Sequence, residues 1–151
     1  MLTRINELPT DRRIAGVHVV PVTADGAIVM GWHRERKMLE TIGGRIEPGE
    51  SLEEALKREA REEAGLTLVG PYIPFARLYW ESTDTYTVWF LAKVAAMDEI
   101  PAGFETAGRV IFNIETAKAL ISFLHHDPGK EQRLMLLTWA EELKHAQGDG
   151  Q

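Results

Sequence analysis

One helix constrains this chain more than any other segment, because acidic residues lie on the face it should bury. Ser51 followed three positions later by Glu54 is typical of a capping box, and Gly65 is a typical helix terminator. The pattern therefore predicts a helix over Leu52–Ala64. At about 100° per residue, its apolar side chains form one stripe that should face the protein interior. They are Leu52, Ala55, Leu56 and Ala60.

Three glutamates of this helix, Glu59, Glu62 and Glu63, fall within or beside the apolar stripe. The other charges fall on the opposite side, and they are Glu53, Glu54, Lys57 and Arg61. Like charges three and four positions apart repel one another, and partial burial increases the repulsion. A solvated acidic face is the ordinary interpretation of such a helix, but the position of the stripe favours a cluster that a cation must neutralise. Carboxylate oxygens are hard ligands that suit Mg²⁺ or Mn²⁺.

Two consecutive glycines, Gly43 and Gly44, precede the helix. A glycine pair is most often a turn, but glycine also allows one stretch of backbone to pass close to another. Next to an acidic helix, such a close approach brings a carbonyl oxygen within reach as a further hard ligand. The pair therefore belongs to the same predicted metal site.

The segment from Gly44 to Leu66 resembles the signature of the Nudix hydrolase superfamily. That signature reads G-x5-E-x7-R-E-U-x-E-E-x-G-U, where U is aliphatic, and this chain has GRIEPGESLEEALKREAREEAGL. Every fixed position matches over the 23 residues. The matching residues are Gly44, Glu50, Arg58, Glu59, Ala60, Glu62, Glu63, Gly65 and Leu66.

The resemblance implies an α/β protein with the Nudix α/β/α sandwich, in which helices flank a mixed β-sheet. The length of the chain predicts one domain over residues 1–151, and the polar residues 147–151 are expected to form a frayed tail. The implied activity is that of a MutT-like nucleotide pyrophosphohydrolase, which uses Mg²⁺ or Mn²⁺ to hydrolyse a pyrophosphate bond. Its substrate would be a nucleoside triphosphate or a nucleoside diphosphate linked to another moiety.

The resemblance also assigns roles to individual residues. Glu59, Glu62 and Glu63 match the family's metal ligands, and the Gly43 carbonyl is a further candidate ligand. Arg58 is expected to hold the carboxylates in place, and Glu50 to hydrogen-bond water or Arg58.

The signature does not identify the general base that takes a proton from the attacking water. Glu62 is one candidate. Glu105 is another, because some members of the family supply a carboxylate from a loop before a late strand. For Glu105, a solvated loop glutamate is an equally weighted interpretation.

Other activities remain open within this resemblance. A sister function is hydrolysis of ADP-ribose or of a nucleotide sugar. A regulatory module that binds nucleotides without catalysis usually has a degraded signature, whereas this signature is intact. The isomerase variant of the fold depends on a cysteine, and this chain has none.

The composition limits which binding partners and which cellular location are expected for this protein. The net charge of −6 disfavours nucleic acid and anionic membranes as partners, since both are negatively charged. The chain shows neither an apolar signal segment nor a membrane-spanning run, which predicts a cytoplasmic protein. The resemblance implies that its partner is a small-molecule nucleotide substrate. A homodimer is compatible with this composition, but no residue pattern decides the oligomeric state.

The remaining segments predict strands followed by helices. Two antiparallel strand pairs are predicted, 14–22 with 27–32 and 75–82 with 85–93. A further strand is predicted at 109–113, and helices are predicted at 115–124 and 131–146. A charged loop is predicted at 33–40, and its cations Arg34, Arg36 and Lys37 are candidate phosphate ligands, although solvated loop charges are the more common case.

Five aromatic residues lie on the predicted strands. Most should be in the core, and one of them could stack on a base. They are Trp32, Tyr79, Trp80, Tyr86 and Trp89.

Overall fold

The computed structural model describes residues 1–103 and 106–149, which form eight strands and three helices. The strands are β1 (Leu2–Arg4), β2 (Arg13–Val22), β3 (Ile28–His33), β4 (Met38–Glu40), β5 (Ile42–Arg45), β6 (Leu66–Trp80), β7 (Thr85–Met97) and β8 (Thr106–Phe112). The helices are α1 (Leu52–Ala64), α2 (Ile114–Leu124) and α3 (Lys130–Asp149). No helix within these ranges is both long and apolar enough to cross a membrane.

The strands form one mixed sheet centred on the parallel pair β2 and β7. Its order is β1-β6-β7-β2-β3-β4, and β5 and β8 join it by pairing antiparallel with β2 and β3. Helices cover both faces of the sheet, so the predicted α/β/α fold with a mixed sheet is confirmed.

Strand β2 supplies both hydrophobic cores, because successive side chains of a strand point to opposite faces. Val17 and Val19 pack on the α1 side, whereas Val20 and Val22 pack on the side of α2 and α3. A strand buried on both faces is typical of parallel pairing.

Helix α1 has the predicted boundaries because both of its ends are satisfied locally. The Glu54 N–H donates to the Ser51 hydroxyl over 3.1 Å, and the Ser51 N–H donates to the Glu54 carboxylate over 3.3 Å. Gly65 ends the helix in the left-handed conformation, with φ of 65°. In addition, Nη1 of Arg109 on β8 donates to the Ala64 carbonyl over 2.7 Å. The capping box and the terminator are thus confirmed.

We expect Ser51→Ala to lower the free energy of unfolding by about 1 kcal/mol, since it removes the oxygen that accepts the Glu54 N–H. Chemical denaturation should detect this loss. Ser122→Ala, at an exposed position of α2, is the matched control and should be neutral or slightly stabilising. Equal stability of the Ser51→Ala variant and the wild type would mean that the cap contributes nothing.

The predicted hairpin of 14–22 with 27–32 is confirmed at its turn, where β2 and β3 pair antiparallel, but it is much shorter than predicted. Strands β2 and β3 share a single register pair, Val22 with Ile28, and then diverge. Beyond that pair, β2 pairs with β5 and β7, whereas β3 pairs with β4 and β8. The predicted loop at 33–40 is also corrected, since residues 38–40 form strand β4.

Candidate active site

The two glycines of β5 allow α1 to approach the sheet closely. A Cβ at Gly43 would lie 2.2 Å from the Val17 carbonyl oxygen, and a Cβ at Gly44 would lie 2.5 Å from Oε1 of Glu59. The Gly43 N–H donates to Oε2 of Glu63 over 2.9 Å. Gly44 therefore leaves room for the Glu59 carboxylate, as predicted for the pair, whereas Gly43 leaves room for the backbone of β2; both lie in strand β5 rather than in a turn.

Arg58 is the centre of the carboxylate cluster. Its Nε and Nη2 donate to the two carboxylate oxygens of Glu50 over 2.7 and 3.0 Å. Its Nη1 donates to Glu59 over 2.9 Å and to Glu62 over 3.3 Å. Nη2 also donates to the Arg45 carbonyl over 2.9 Å, which fixes the guanidinium to the end of β5. One cation thus holds three carboxylates.

Burial and charge act differently on two of these carboxylates. The hydrogen bonds from Arg58 lower the pKa of Glu50. Burial raises the pKa of Glu59 despite its contact with Arg58, because desolvation disfavours the charged form. The side chain of Glu59 is only 12% exposed. A second cation beside Glu59 would offset this desolvation and stabilise its charged form.

The donor chemistry of this cluster fits a hard divalent cation. Glu59, Glu62 and Glu63 are half-buried on one face of α1, and the Gly43–Gly44 backbone lies against that face. Within residues 1–103 and 106–149, no three acidic or histidine side chains already converge as a ligand set. Arg58 contacts one oxygen of Glu59 and one oxygen of Glu62, and the second oxygen of each carboxylate is a further possible ligand for a cation.

A cleft of about 730 Å³ opens beside these carboxylates, and we call it the carboxylate cleft. Glu59, Glu63 and the glycine pair form one part of its wall, and residues at the start of α3 form another part. A second cavity of about 540 Å³, here the side groove, runs from the cleft towards the ends of β6 and β7. The two cavities share His18, Gly44, Arg45, Trp80 and Thr87.

A stacked pair, His18 and Trp89, forms part of the cleft floor, with ring centroids 5.1 Å apart. Thr41 joins the two rings, since its hydroxyl accepts from Nε1 of Trp89 over 3.1 Å and lies 2.9 Å from Nδ1 of His18. Burial lowers the pKa of His18 to about 4. His18 is therefore neutral at physiological pH.

The α3 wall presents a fixed guanidinium. Arg133 donates to both oxygens of Asp127, over 2.9 and 2.7 Å, and these bonds lower the pKa of Asp127 to about 2. The Arg133 side chain is only 12% exposed. Arg36 lines the cleft as well, and it pairs with Glu40 over 3.1 Å.

Most predicted site residues lie together. Glu50, Arg58, Glu59 and Glu62 form one hydrogen-bonded group, and Glu63, on the same helix, accepts a separate hydrogen bond from the Gly43 N–H. Glu105 lies outside the described residues. Of the three loop cations, Arg36 is the one placed on the cleft.

Sequence reasoning missed His18, Thr41 and Arg133. A single histidine on a strand carries no spacing signal, and Arg133 lies 75 residues from Arg58 in the chain. Exposure separates the aromatic residues that were predicted either to fill the core or to stack on a base. Tyr86 and Trp89 are 3% and 7% exposed, whereas Trp80 is 48% exposed and lines both cavities.

Comparison with known proteins agrees with this arrangement. The sequence model of the NUDIX domain matches residues 12–139. NAD-capped RNA hydrolase NudC of Stutzerimonas stutzeri (strain A1501) is 35% identical over 81 residues, which are 53% of this chain and 29% of that protein. The chain thus spans less than a third of the length of this curated relative.

Two solved structures share the fold. A NUDIX-family hydrolase from Clostridium perfringens superposes with a TM-score of 0.65 at 25% identity, covering 87% of this chain and 97% of the other. A mutant form of the Bacillus subtilis pyrophosphohydrolase BsRppH has a TM-score of 0.63 at 23% identity, covering 74% of this chain and 70% of the other.

Proposed function

The chain belongs to the Nudix domain family, and from that premise we propose that it is a metal-dependent pyrophosphohydrolase of nucleotides. Its substrate is a nucleoside triphosphate or a nucleoside diphosphate linked to another moiety. The cation is Mg²⁺ or Mn²⁺, and ADP-ribose and nucleotide sugars fall within the same chemistry.

A single observation carries the proposal. Half-buried carboxylates line a cleft of nucleotide size, and the carboxylates of this cluster outnumber the one guanidinium that holds them. Glu50, Glu59 and Glu62 hydrogen-bond to Arg58, Glu63 accepts the Gly43 N–H, and Glu59 and Glu63 line the cleft. A cleft of about 730 Å³ is within the usual range for small-molecule sites. Excess negative charge facing such a cleft would repel a pyrophosphate unless a metal ion bridged the two.

Glu59, Glu62, Glu63 and the Gly43 carbonyl would hold the cation. When bound, a divalent cation neutralises the pyrophosphate and lowers the pKa of a coordinated water. Arg58 is held by Glu50 and orients Glu59 and Glu62. It is therefore a positioning residue. Glu62 or Glu105 takes the proton of the attacking water.

Cationic groups that line the same cleft suit the remaining phosphate oxygens. The guanidiniums of Arg36 and Arg133 both line the cleft, and each is held by a carboxylate that limits its movement. Guanidiniums bind phosphate oxygens through paired N–H groups. The substrate phosphates would thus lie between the acidic wall, bridged by metal, and these two arginines.

A hydrolysis screen tests the proposal. Nucleoside triphosphates, dinucleotides, ADP-ribose and nucleotide sugars are incubated with the protein and Mg²⁺, and products are separated by ion-exchange chromatography. We expect cleavage of at least one class, abolished by a chelator. Binding of nucleotides without cleavage of any class would contradict the proposal and favour a regulatory module.

Metal should also stabilise the folded protein, because the unfolded chain cannot assemble the carboxylates. At a hundredfold excess over Kd, the gain is roughly 2.7 kcal/mol. Thermal unfolding with chelator and with millimolar Mg²⁺ or Mn²⁺ measures it. Glu53→Gln, on the exposed face of α1, should retain the full gain. A melting temperature that does not respond to either metal would argue against the site.

A further inference from the structure

We propose that the side groove binds a second ring-bearing group of the substrate, stacked on Trp80, so that the preferred substrate carries a nucleoside-like group on each side of its pyrophosphate. This inference rests on the proposed function, and it narrows the substrate to dinucleotide-type molecules over nucleoside triphosphates.

The first step is the continuity of the two cavities. The carboxylate cleft and the side groove meet at Gly44, whose backbone contacts the carboxylate of Glu59. One cavity extends from there to Arg133 and Leu136 of α3, and the other extends to Thr83 and Thr85 at the start of β7. A pyrophosphate held at Gly44 therefore has ligand-sized space in both directions.

The second step is the exposure and orientation of the Trp80 side chain. Trp80 is 48% exposed, unlike the buried Trp89 on the same floor. Its Nε1 donates to the Thr87 hydroxyl over 2.8 Å, which orients the indole before any ligand arrives. Gly16 leaves room for this hydrogen bond, because a Cβ at position 16 would lie 3.0 Å from the Thr87 hydroxyl oxygen. An exposed, pre-oriented indole is suited to stacking on a planar ring.

The third step is the chemistry of the groove walls. The groove is lined by hydroxyls and guanidiniums, and the described residues that line it include no carboxylate. These hydroxyls and guanidiniums belong to Arg13, Arg45, Ser82, Thr83, Thr85 and Thr87. Hydroxyls and guanidiniums hydrogen-bond to sugar hydroxyls and phosphates. The inorganic leaving group of a triphosphate could bind these hydroxyls but has no ring to stack on the indole, so the indole is the part of the groove that favours a second ring-bearing group.

Kinetics with two substrates tests the inference. For diadenosine tetraphosphate and for ATP, kcat and KM are measured with the wild type, Trp80→Ala and Trp80→Phe. We expect the wild type to prefer diadenosine tetraphosphate in kcat/KM. Trp80→Ala should reduce that preference by about 5- to 150-fold, mainly through KM, because one stacking contact is lost. Trp80→Phe should restore most of it.

Phe123→Ala is the control, since Phe123 is an exposed aromatic residue on α2 outside both cavities, and it should keep the wild-type preference. An equal effect of Trp80→Ala on both substrates would overturn the inference, and so would no effect on either.

Equilibrium binding separates this inference from the proposed function. Diadenosine tetraphosphate is titrated into the protein in the presence of Ca²⁺ and observed by calorimetry. If neither compound is hydrolysed, binding that weakens with Trp80→Ala would sustain the inference while the proposed function fails. Absence of binding would overturn the inference as well.

Discussion

Glu63→Gln should abolish nearly all hydrolysis while leaving the fold intact. Glu63 lies on the inward face of α1 and accepts the Gly43 N–H over 2.9 Å, so it connects the acidic helix to β5. Glutamine can still accept that hydrogen bond but carries no charge for a cation. Metal stabilisation of transition-state charge amounts to several kcal/mol, so turnover should fall by roughly a hundredfold or more.

Turnover with Mg²⁺ and the melting temperature in chelator are the two measurements. Removing one charge from a mutually repelling set should leave the metal-free stability unchanged or raise it. Glu53→Gln controls for the same chemical change on the solvent face of the helix, where Glu53 pairs with Lys57 over 3.0 Å. Turnover at the wild-type level in Glu63→Gln would remove this residue from the proposed site.

Gly43→Ala should have the largest effect on folding. Its Cβ would lie 2.2 Å from the Val17 carbonyl oxygen and 2.6 Å from the Cα of His18, and both are backbone atoms that cannot move aside cheaply. Overpacking typically costs roughly 1–3 kcal/mol, and a backbone clash belongs at or beyond the upper end. We expect a loss of about 3 kcal/mol or more, or roughly 6–12 °C in the melting temperature.

Gly108→Ala is the matched control, since a Cβ there would meet nothing within 4 Å, and its stability should equal or slightly exceed the wild type. Gly44→Ala offers a contrast, because its Cβ would meet the end of a flexible side chain, Glu59. That variant should fold and lose activity. A Gly43→Ala protein as stable as Gly108→Ala would show that β5 can shift without cost.

Local signals account for what could be predicted. The boundaries of α1 follow from Ser51, Glu54 and Gly65, all of which act within a few residues of the helix ends. The contact between its carboxylates and the Gly43–Gly44 backbone was also predictable, since the acidic helix and the glycine pair are close together in sequence.

Pairing between distant strands could not be predicted in the same way. The residues of β2 are apolar on both faces, and this pattern does not distinguish a hairpin with β3 from a central strand between β5 and β7. The cleft floor depends on that choice, because His18 lies next to Trp89 in the register of β2 and β7. Trp80 was one of five equivalent aromatic candidates until its exposure was known.

The parallel pair at the centre of the sheet has a consequence for the order of folding. His18 and Trp89 are 71 residues apart in the chain, and contacts between such distant positions form late because the loop between them must first close. During synthesis, the acidic helix therefore leaves the ribosome well before β7 can complete the cleft floor. A nascent chain that includes α1 but not yet β7 has the carboxylates without the rest of the cleft. We therefore expect catalytic activity to appear only after β2 and β7 have paired.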